Sequence, residues 1–88
     1  MNSLLRDEIS FAVQEIIPVL HFDLKNDLQS TEESDLSDFH YGLGMWIRNH
    51  ILTIDSDIYR LFVENGINQK DDMSAILIRE LHKKLTEK

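Results

Sequence analysis

Cysteine is absent from this 88-residue sequence, and proline and tryptophan each occur only once. Without cysteine the chain has neither a disulfide framework nor a thiolate metal site, which fits a reducing cytoplasm. Basic residues are also scarce, with nine against sixteen acidic ones and a net charge of −7. Because phosphate neutralisation supplies most of the affinity for nucleic acids and anionic membranes, this balance argues against both as partners.

Long apolar runs are missing as well, since no stretch approaches the roughly 18 residues needed to cross a bilayer. The first eight residues contain Asp7 and Glu8 and lack the basic-then-apolar layout of a signal peptide. The hydrophobic fraction of 42% and the charged fraction of 28% are those of a globular protein. We therefore expect one soluble, cytoplasmic domain over residues 1–88.

Apolar residues repeat at intervals of three and four through most of the chain, and no stretch alternates with the period of a strand. The pattern predicts five helical segments, over residues 3–19, 20–28, 35–52, 57–65 and 68–86. Pro18 is expected to break the first segment, and Gly66 is expected to end the fourth in a left-handed conformation. The predicted fold is all-α, a compact bundle of four to five short helices.

The stretch from Asp38 to His50 concentrates the unusual residues: the only tryptophan, two of the three glycines and two of the four histidines. Gly42 and Gly44 each cost roughly 1 kcal/mol relative to alanine inside a helix, so they indicate close packing, a helix break or a surface that a partner enters. The Gly-x-Gly pair is not a phosphate loop, because it lacks the preceding strand, the third glycine and the lysine.

Arg48 carries five donors in a fixed plane, which suits a carboxylate or the free carbonyls at a helix end. Asp38 and Asp72 are both candidate partners, and the spacing does not choose between them. Asn49 is expected to bond exposed carbonyls where the third helix ends.

Catalytic and metal-binding patterns are not found in the sequence. The four histidines lack the spacing of helical metal sites, and no serine follows the strand–turn–helix pattern of a nucleophile elbow. We therefore predict no enzyme activity, no catalytic residue, no cofactor and no metal ligand. An enzyme that uses His40, Arg48 and His50 is a minor alternative, and it requires these three side chains in one cleft.

Residues 23–38 contain six carboxylates against one lysine. Such a segment is either a solvated face or a docking surface for a basic protein, since complementary charge speeds association and selects partners. Nearby aromatic residues supply the anchors that binding hot spots favour. The candidate partner-binding residues are Asp23, Asp27, Glu32, Glu33, Asp35, Asp38, Tyr41 and Trp46.

Two blocks, HYGLGMWIRN at residues 40–49 and DDMSAILI at residues 71–78, together resemble a family of small uncharacterised bacterial proteins. That family is similar in having an aromatic-glycine-leucine-glycine block that ends in Ile-Arg-Asn, followed by an Asp-Asp-x-Ser block that opens a final helix. Here Lys70 stands where a proline often precedes the aspartates. The resemblance implies that the two blocks meet, with Ser74 nearby, in a structural junction of Gly42, Gly44, Arg48, Asn49, Asp71 and Asp72.

Small acidic helical proteins of this kind are similar in character to immunity proteins, which neutralise basic toxin domains. By that analogy we expect an immunity-like or antitoxin-like inhibitor of a basic toxin or nuclease domain. The alternative is a structural protein that forms homo-oligomers, with the Gly42 and Gly44 surface packed against a second copy.

Overall fold

The computed structural model describes residues 2–87, so Met1 and Lys88, which the single-domain prediction includes, lie outside the described residues. Between these limits the chain forms five α-helices, two 3-10 segments and no strand. The α-helices are α1 (Ser3–Ile16), α2 (Phe22–Ser30), α3 (Leu43–His50), α4 (Asp57–Glu64) and α5 (Lys70–Thr86), and the 3-10 segments are Ile17–Val19 and Glu33–Phe39. The all-α prediction is confirmed. None of the helices in residues 2–87 has both the length and the apolar character required to span a membrane.

The apolar positions at helical spacing come together in one core. Helix α5 packs against α1, α2, α3 and the segment Glu33–Phe39, and α1 also packs against α4. The radius of gyration of 12.3 Å is that of a compact chain of this length. The largest fully buried apolar side chains are Phe62, Leu5, Ile16, Leu28, Ile47, Leu52, Met73, Leu77 and Leu81.

Helix α4 ends as the sequence predicts. Gly66 has φ = 83°, the left-handed region that side chains disfavour. The N–H of Ile67 donates to the carbonyl of Phe62 at 2.9 Å, and the N–H of Gly66 donates to the carbonyl of Val63 at 3.0 Å. These two bonds form a Schellman motif, which satisfies carbonyls that the helix end leaves free.

The predicted helix over residues 35–52 is wrong in its first half. The chain instead forms the 3-10 segment Glu33–Phe39, a turn at residues 40–42, and α3 from Leu43. In a continuous α-helix the carbonyl of His40 would accept from the N–H of Gly44. Here that carbonyl accepts from Nη2 of Arg48 at 3.1 Å. Low helix propensity at the two glycines and this side-chain bond together divide the segment.

Candidate protein-binding surface

Arg48 lies on α3 with its guanidinium group directed toward α5 and only 13% of its side chain exposed. Its Nη1 donates to Oγ of Ser74 at 3.0 Å, its Nη2 donates to the carbonyl of His40 at 3.1 Å, and its Nε lies 3.5 Å from Oδ1 of Asp71. Ser74 is fully buried and donates its hydroxyl hydrogen to the carbonyl of Asp71 at 3.0 Å. One arginine thus joins α3, the turn before it and the first turns of α5.

Gly44 is buried beneath this guanidinium group. A Cβ at this position would lie 2.9 Å from Nη1 of Arg48, 3.4 Å from the carbonyl oxygen of Phe39 and 3.6 Å from Cδ1 of Ile78. The shortest of these contacts could be relieved only by moving Nη1, which its bond to Ser74 holds in place. Gly44 therefore serves internal packing and is not presented to a partner.

Gly42 is in a different environment. A Cβ there would meet no atom within 4 Å, and the backbone has an ordinary φ of −82°. Neither a steric contact nor a positive φ requires glycine at this position, so Gly42 is not part of the packed junction.

Of the other predicted junction residues, some form the junction and some do not. Arg48 pairs with Asp71, and not with Asp38 or Asp72. Asn49 and Asp72 are exposed, and neither side chain forms a hydrogen bond or ion pair with any other residue between positions 2 and 87. The junction therefore consists of Gly44, Arg48, Asp71 and Ser74, together with the carbonyl of His40.

Residues 31–40, which we call the acidic strap, are attached to the rest of the protein near both ends. Nε2 of His82 lies 2.7 Å from the carbonyl oxygen of Thr31, and because a carbonyl only accepts, this nitrogen carries the proton. At the other end Arg48 donates to the carbonyl of His40. Between them Leu36 is buried in the core. The strap therefore has a defined position on the surface.

All six carboxylates of the predicted partner-binding set are exposed: Asp23, Asp27, Glu32, Glu33, Asp35 and Asp38. The four on the strap form no ion pair with another residue in the range 2–87. Asp23 and Asp27 lie four residues apart on α2 and therefore share a face of that helix. The strap and the start of α2 consequently direct negative charge into solvent.

The two aromatic residues of the predicted set lie beyond the end of the strap. Tyr41 is 78% exposed, and its ring meets the ring of His40 edge-on at 4.9 Å. Trp46 is half-buried, with its ring 5.3 Å from that of His50. Trp46 also lines an open groove of about 360 Å³ between the start of α2 and the start of α3. One wall consists of Val19, Leu20, His21 and Leu24, and the other consists of Gly42, Leu43 and Trp46; His21 is the one polar side chain among them.

The structure does not form the cleft that the enzyme alternative requires. Arg48 and His50 are two residues apart on α3, which separates their directions by about 200° around the helix axis. Arg48 faces α5, whereas the ring of His50 lies beside Trp46. In the part of the chain that the structure describes, no group of three or more histidine, aspartate or glutamate side chains is placed to hold a metal ion.

Sequence reasoning missed His82 and the apolar residues around the groove. His82 is 51 positions from Thr31, and its spacing gives no signal for this contact. Phe22 and Met45 do offer a signal, because they are apolar but lie off the buried stripe of their helices. They are exposed to 71% and 47%, and Val19 to 64%.

Comparison with known proteins gives a match to a protein family. No curated protein and no solved structure matches the chain. The family match covers residues 7–85, a range that contains the strap, the groove and the Arg48 junction. This chain therefore belongs to the family described as a domain of unknown function, DUF6794.

Proposed function

We propose that this protein is an acidic binding module for a basic protein, and that it acts as an immunity-like or antitoxin-like inhibitor of a basic toxin or nuclease domain. The observation that carries the proposal is the acidic strap, where four exposed carboxylates lie on a segment fixed by His82 and Arg48. Because the backbone that carries these carboxylates is already fixed, binding to a basic surface orders little beyond the side chains themselves.

Charge supplies a mechanism of inhibition. A domain that acts on nucleic acid needs a basic surface, because contacts to phosphate provide much of its affinity. The exposed carboxylates of the strap and of α2 complement such a surface, and the net charge of −7 favours rapid encounter. A protein bound there would occupy the position of the substrate phosphates and would block the partner's activity by competition.

The aromatic side chains supply binding affinity that charge alone does not. Exposed ion pairs contribute little affinity, whereas tyrosine and tryptophan are common at the centres of protein interfaces. Tyr41 follows the strap directly, and Trp46 lies one turn into α3. The proposed interface therefore combines a charged rim with an aromatic centre.

The test compares two variants that remove the same number and type of charges. The strap variant carries Glu32→Gln, Glu33→Gln, Asp35→Asn and Asp38→Asn. The control carries Asp7→Asn, Glu15→Gln, Asp55→Asn and Glu64→Gln, four exposed positions outside the strap. Each protein is immobilised and exposed to lysate of the source cells at low salt, and retained proteins are quantified by mass spectrometry.

The expected result is a basic protein retained by the unaltered chain and by the control but lost by the strap variant. That protein is then purified, its affinity for all three chains is measured by calorimetry, and its toxicity is compared with and without co-expression of each chain. Equal affinity for the strap variant and the control would contradict the proposal. Unaltered toxicity on co-expression would contradict the inhibitor role.

Self-association is the second candidate function, and it rests on a different surface from the one first expected. Gly44 is covered by Arg48, so the glycine pair cannot pack against a second copy. Leu4 and Phe11, seven residues apart on α1, are both exposed and share a helix face. Sedimentation equilibrium checks this candidate: a monomer at high micromolar concentration excludes it.

A further inference from the structure

We infer that the groove between α2 and α3 is the anchor pocket of the interface, and that it receives one bulky apolar side chain from a basic segment of the partner. The inference rests on the proposed function and specifies its chemistry. It also assigns a role to Gly42, which keeps the mouth of this pocket open.

The groove has the form of an anchor site. Its volume of about 360 Å³ is in the range of pockets that hold a small ligand or a large side chain. Apart from His21 its lining residues are apolar or glycine, and Trp46 contributes the large flat surface that binding hot spots favour. An aliphatic or aromatic side chain placed there would leave water and contact these walls, which is favourable.

Exposed apolar residues flank the groove residues in the chain. Val19 lines the groove, and Phe22, Tyr41 and Met45 are each adjacent in the chain to one of its lining residues. Large exposed apolar groups near a concavity are typical of an interaction site.

Charge complementarity selects a basic occupant. The acidic stretch of residues 23–38 begins beside Leu24, which lines one wall of the groove, and ends four residues before Gly42, which lines the other. A partner segment whose apolar side chain enters the groove thus brings its flanking residues toward the two ends of this stretch, at Asp23 and Asp38. Lysine or arginine on those flanks would be attracted, and aspartate or glutamate would be repelled.

Gly42 is explained by this role and by no contact within the fold. A Cβ at Gly42 would meet nothing within 4 Å, and its φ of −82° is outside the left-handed region that favours glycine. Because Gly42 lines the groove, a larger side chain there would take up part of its mouth. Glycine leaves that space free for the partner.

The test uses two small probes that share a phenyl ring but differ in charge: 2-phenylethylamine, a cation, and phenylacetate, an anion. Trp46 is the only tryptophan, so its indole N–H gives a single, unambiguous NMR signal at the groove. Each probe is titrated into the full chain at about 20 mM and about 300 mM salt. Gly42→Leu, which fills the mouth, is compared with Gly42→Ser, which adds a small group that suits the N-terminus of a helix.

We expect 2-phenylethylamine to shift the signals of Trp46 and Gly42 saturably, with at least about threefold tighter binding than phenylacetate at low salt. The difference should shrink at high salt, and Gly42→Leu should weaken binding at least about tenfold, whereas Gly42→Ser, which adds a smaller group at the mouth, should weaken it less. No saturable shift at Trp46, equal binding of both probes, or full binding to Gly42→Leu would each overturn the inference.

The partner experiment separates this inference from the proposed function. If the partner is lost by the strap variant but binds Gly42→Leu as tightly as Gly42→Ser, the acidic binding function stands and the anchor pocket is wrong. If the partner binds the strap variant normally, the proposed function fails, whatever the probes show.

Discussion

Arg48 donates a hydrogen bond from Nη1 to the buried Oγ of Ser74 over 3.0 Å, and this bond links α3 to α5 across 26 positions of the chain. The same guanidinium group holds the carbonyl of His40, where the acidic strap ends. The position of the strap therefore depends on a side chain that lies inside the protein and would not touch the proposed partner.

Replacement of Arg48 by lysine should destabilise the protein although the charge is kept. A single ammonium group cannot reach Ser74, Asp71 and the carbonyl of His40 in the fixed geometry of the guanidinium group. We expect a loss of about 1–3 kcal/mol in the free energy of unfolding, measured by urea denaturation. Arg60→Lys is the control: Arg60 pairs with Asp57 on the surface, so its replacement should cost less than about 0.5 kcal/mol. Equal losses for the two variants would contradict the role of Arg48.

Ser74, the neutral partner of Arg48, should contribute more to stability than Asp71, the charged partner. Asp71 is 69% exposed and lies 3.5 Å from Nε, so solvent screens the ion pair and Asp71→Asn should cost less than about 0.5 kcal/mol. Ser74 is fully buried, and Ser74→Ala leaves Nη1 of Arg48 without its acceptor, at a cost of about 1–3 kcal/mol. Urea denaturation of both variants gives the ranking, and the reverse order would show that the ion pair dominates.

Gly44→Ala should destabilise the unaltered protein but stabilise a variant that lacks the Arg48 side chain. In the unaltered chain the new methyl group would displace Nη1 and weaken the bond to Ser74, which outweighs the gain of roughly 1 kcal/mol in helix propensity. In an Arg48→Ala background the closest remaining contacts are ordinary, at 3.4 and 3.6 Å, so the same substitution should stabilise. A double-mutant cycle by urea denaturation measures the coupling, and additive effects would contradict the contact.

The sequence was sufficient for the helical architecture but not for the break inside it. Leu36, Phe39 and Leu43 continue the apolar spacing of a helix across the turn, so the pattern predicts one helix where the structure has two elements. In the sequence, Gly42 and Gly44 were the signal that the helix is broken here. The bond from Arg48 to the carbonyl of His40 depends on where α5 packs, and local periodicity contains no information about that contact.

The candidate site was predictable to a similar extent. The carboxylates of residues 23–38 stand out by composition, and they are exposed in the structure. The groove is different, because its walls come from Val19–Leu24 and from Gly42–Trp46, which meet only when α2 and α3 have both packed against α5. The paired motif suggested that Arg48 would meet the start of α5. It did not indicate which of Asp71 and Asp72 would be used, because neighbouring residues on a helix differ in direction by about 100°.

Gly66 and Gly42 should respond differently to substitution. Gly66 has φ = 83°, so Gly66→Ala should cost about 1–2 kcal/mol. Gly42→Ser should remain within about 0.5 kcal/mol of the unaltered protein, because its Cβ meets no atom and serine suits a helix N-terminus. Thermal and urea unfolding of both variants check the contrast. A large loss for Gly42→Ser would show that Gly42 serves the fold, which would remove the reason for assigning it to the groove.

His82→Phe should loosen the acidic strap while the core stays intact. Phenylalanine retains a flat ring but cannot donate to the carbonyl of Thr31, which loses a bond of 2.7 Å. The cost in global stability should be about 1 kcal/mol. Amide hydrogens of the strap, such as that of His40, which donates to the carbonyl of Ser37, should exchange several-fold faster, whereas those of α1 should change only as global stability does.

Hydrogen exchange followed by NMR makes this measurement residue by residue, with Tyr59→Phe as the control, because it also removes a polar group from a ring but lies on α4, outside the strap and the groove. Affinity for the basic partner should fall in His82→Phe although every carboxylate is present, since a mobile strap must be ordered before it binds. Unchanged exchange in the strap would mean that Leu36 and Arg48 suffice to hold it. Faster exchange with unchanged affinity would mean that the fixed position of the carboxylates is not what the partner recognises.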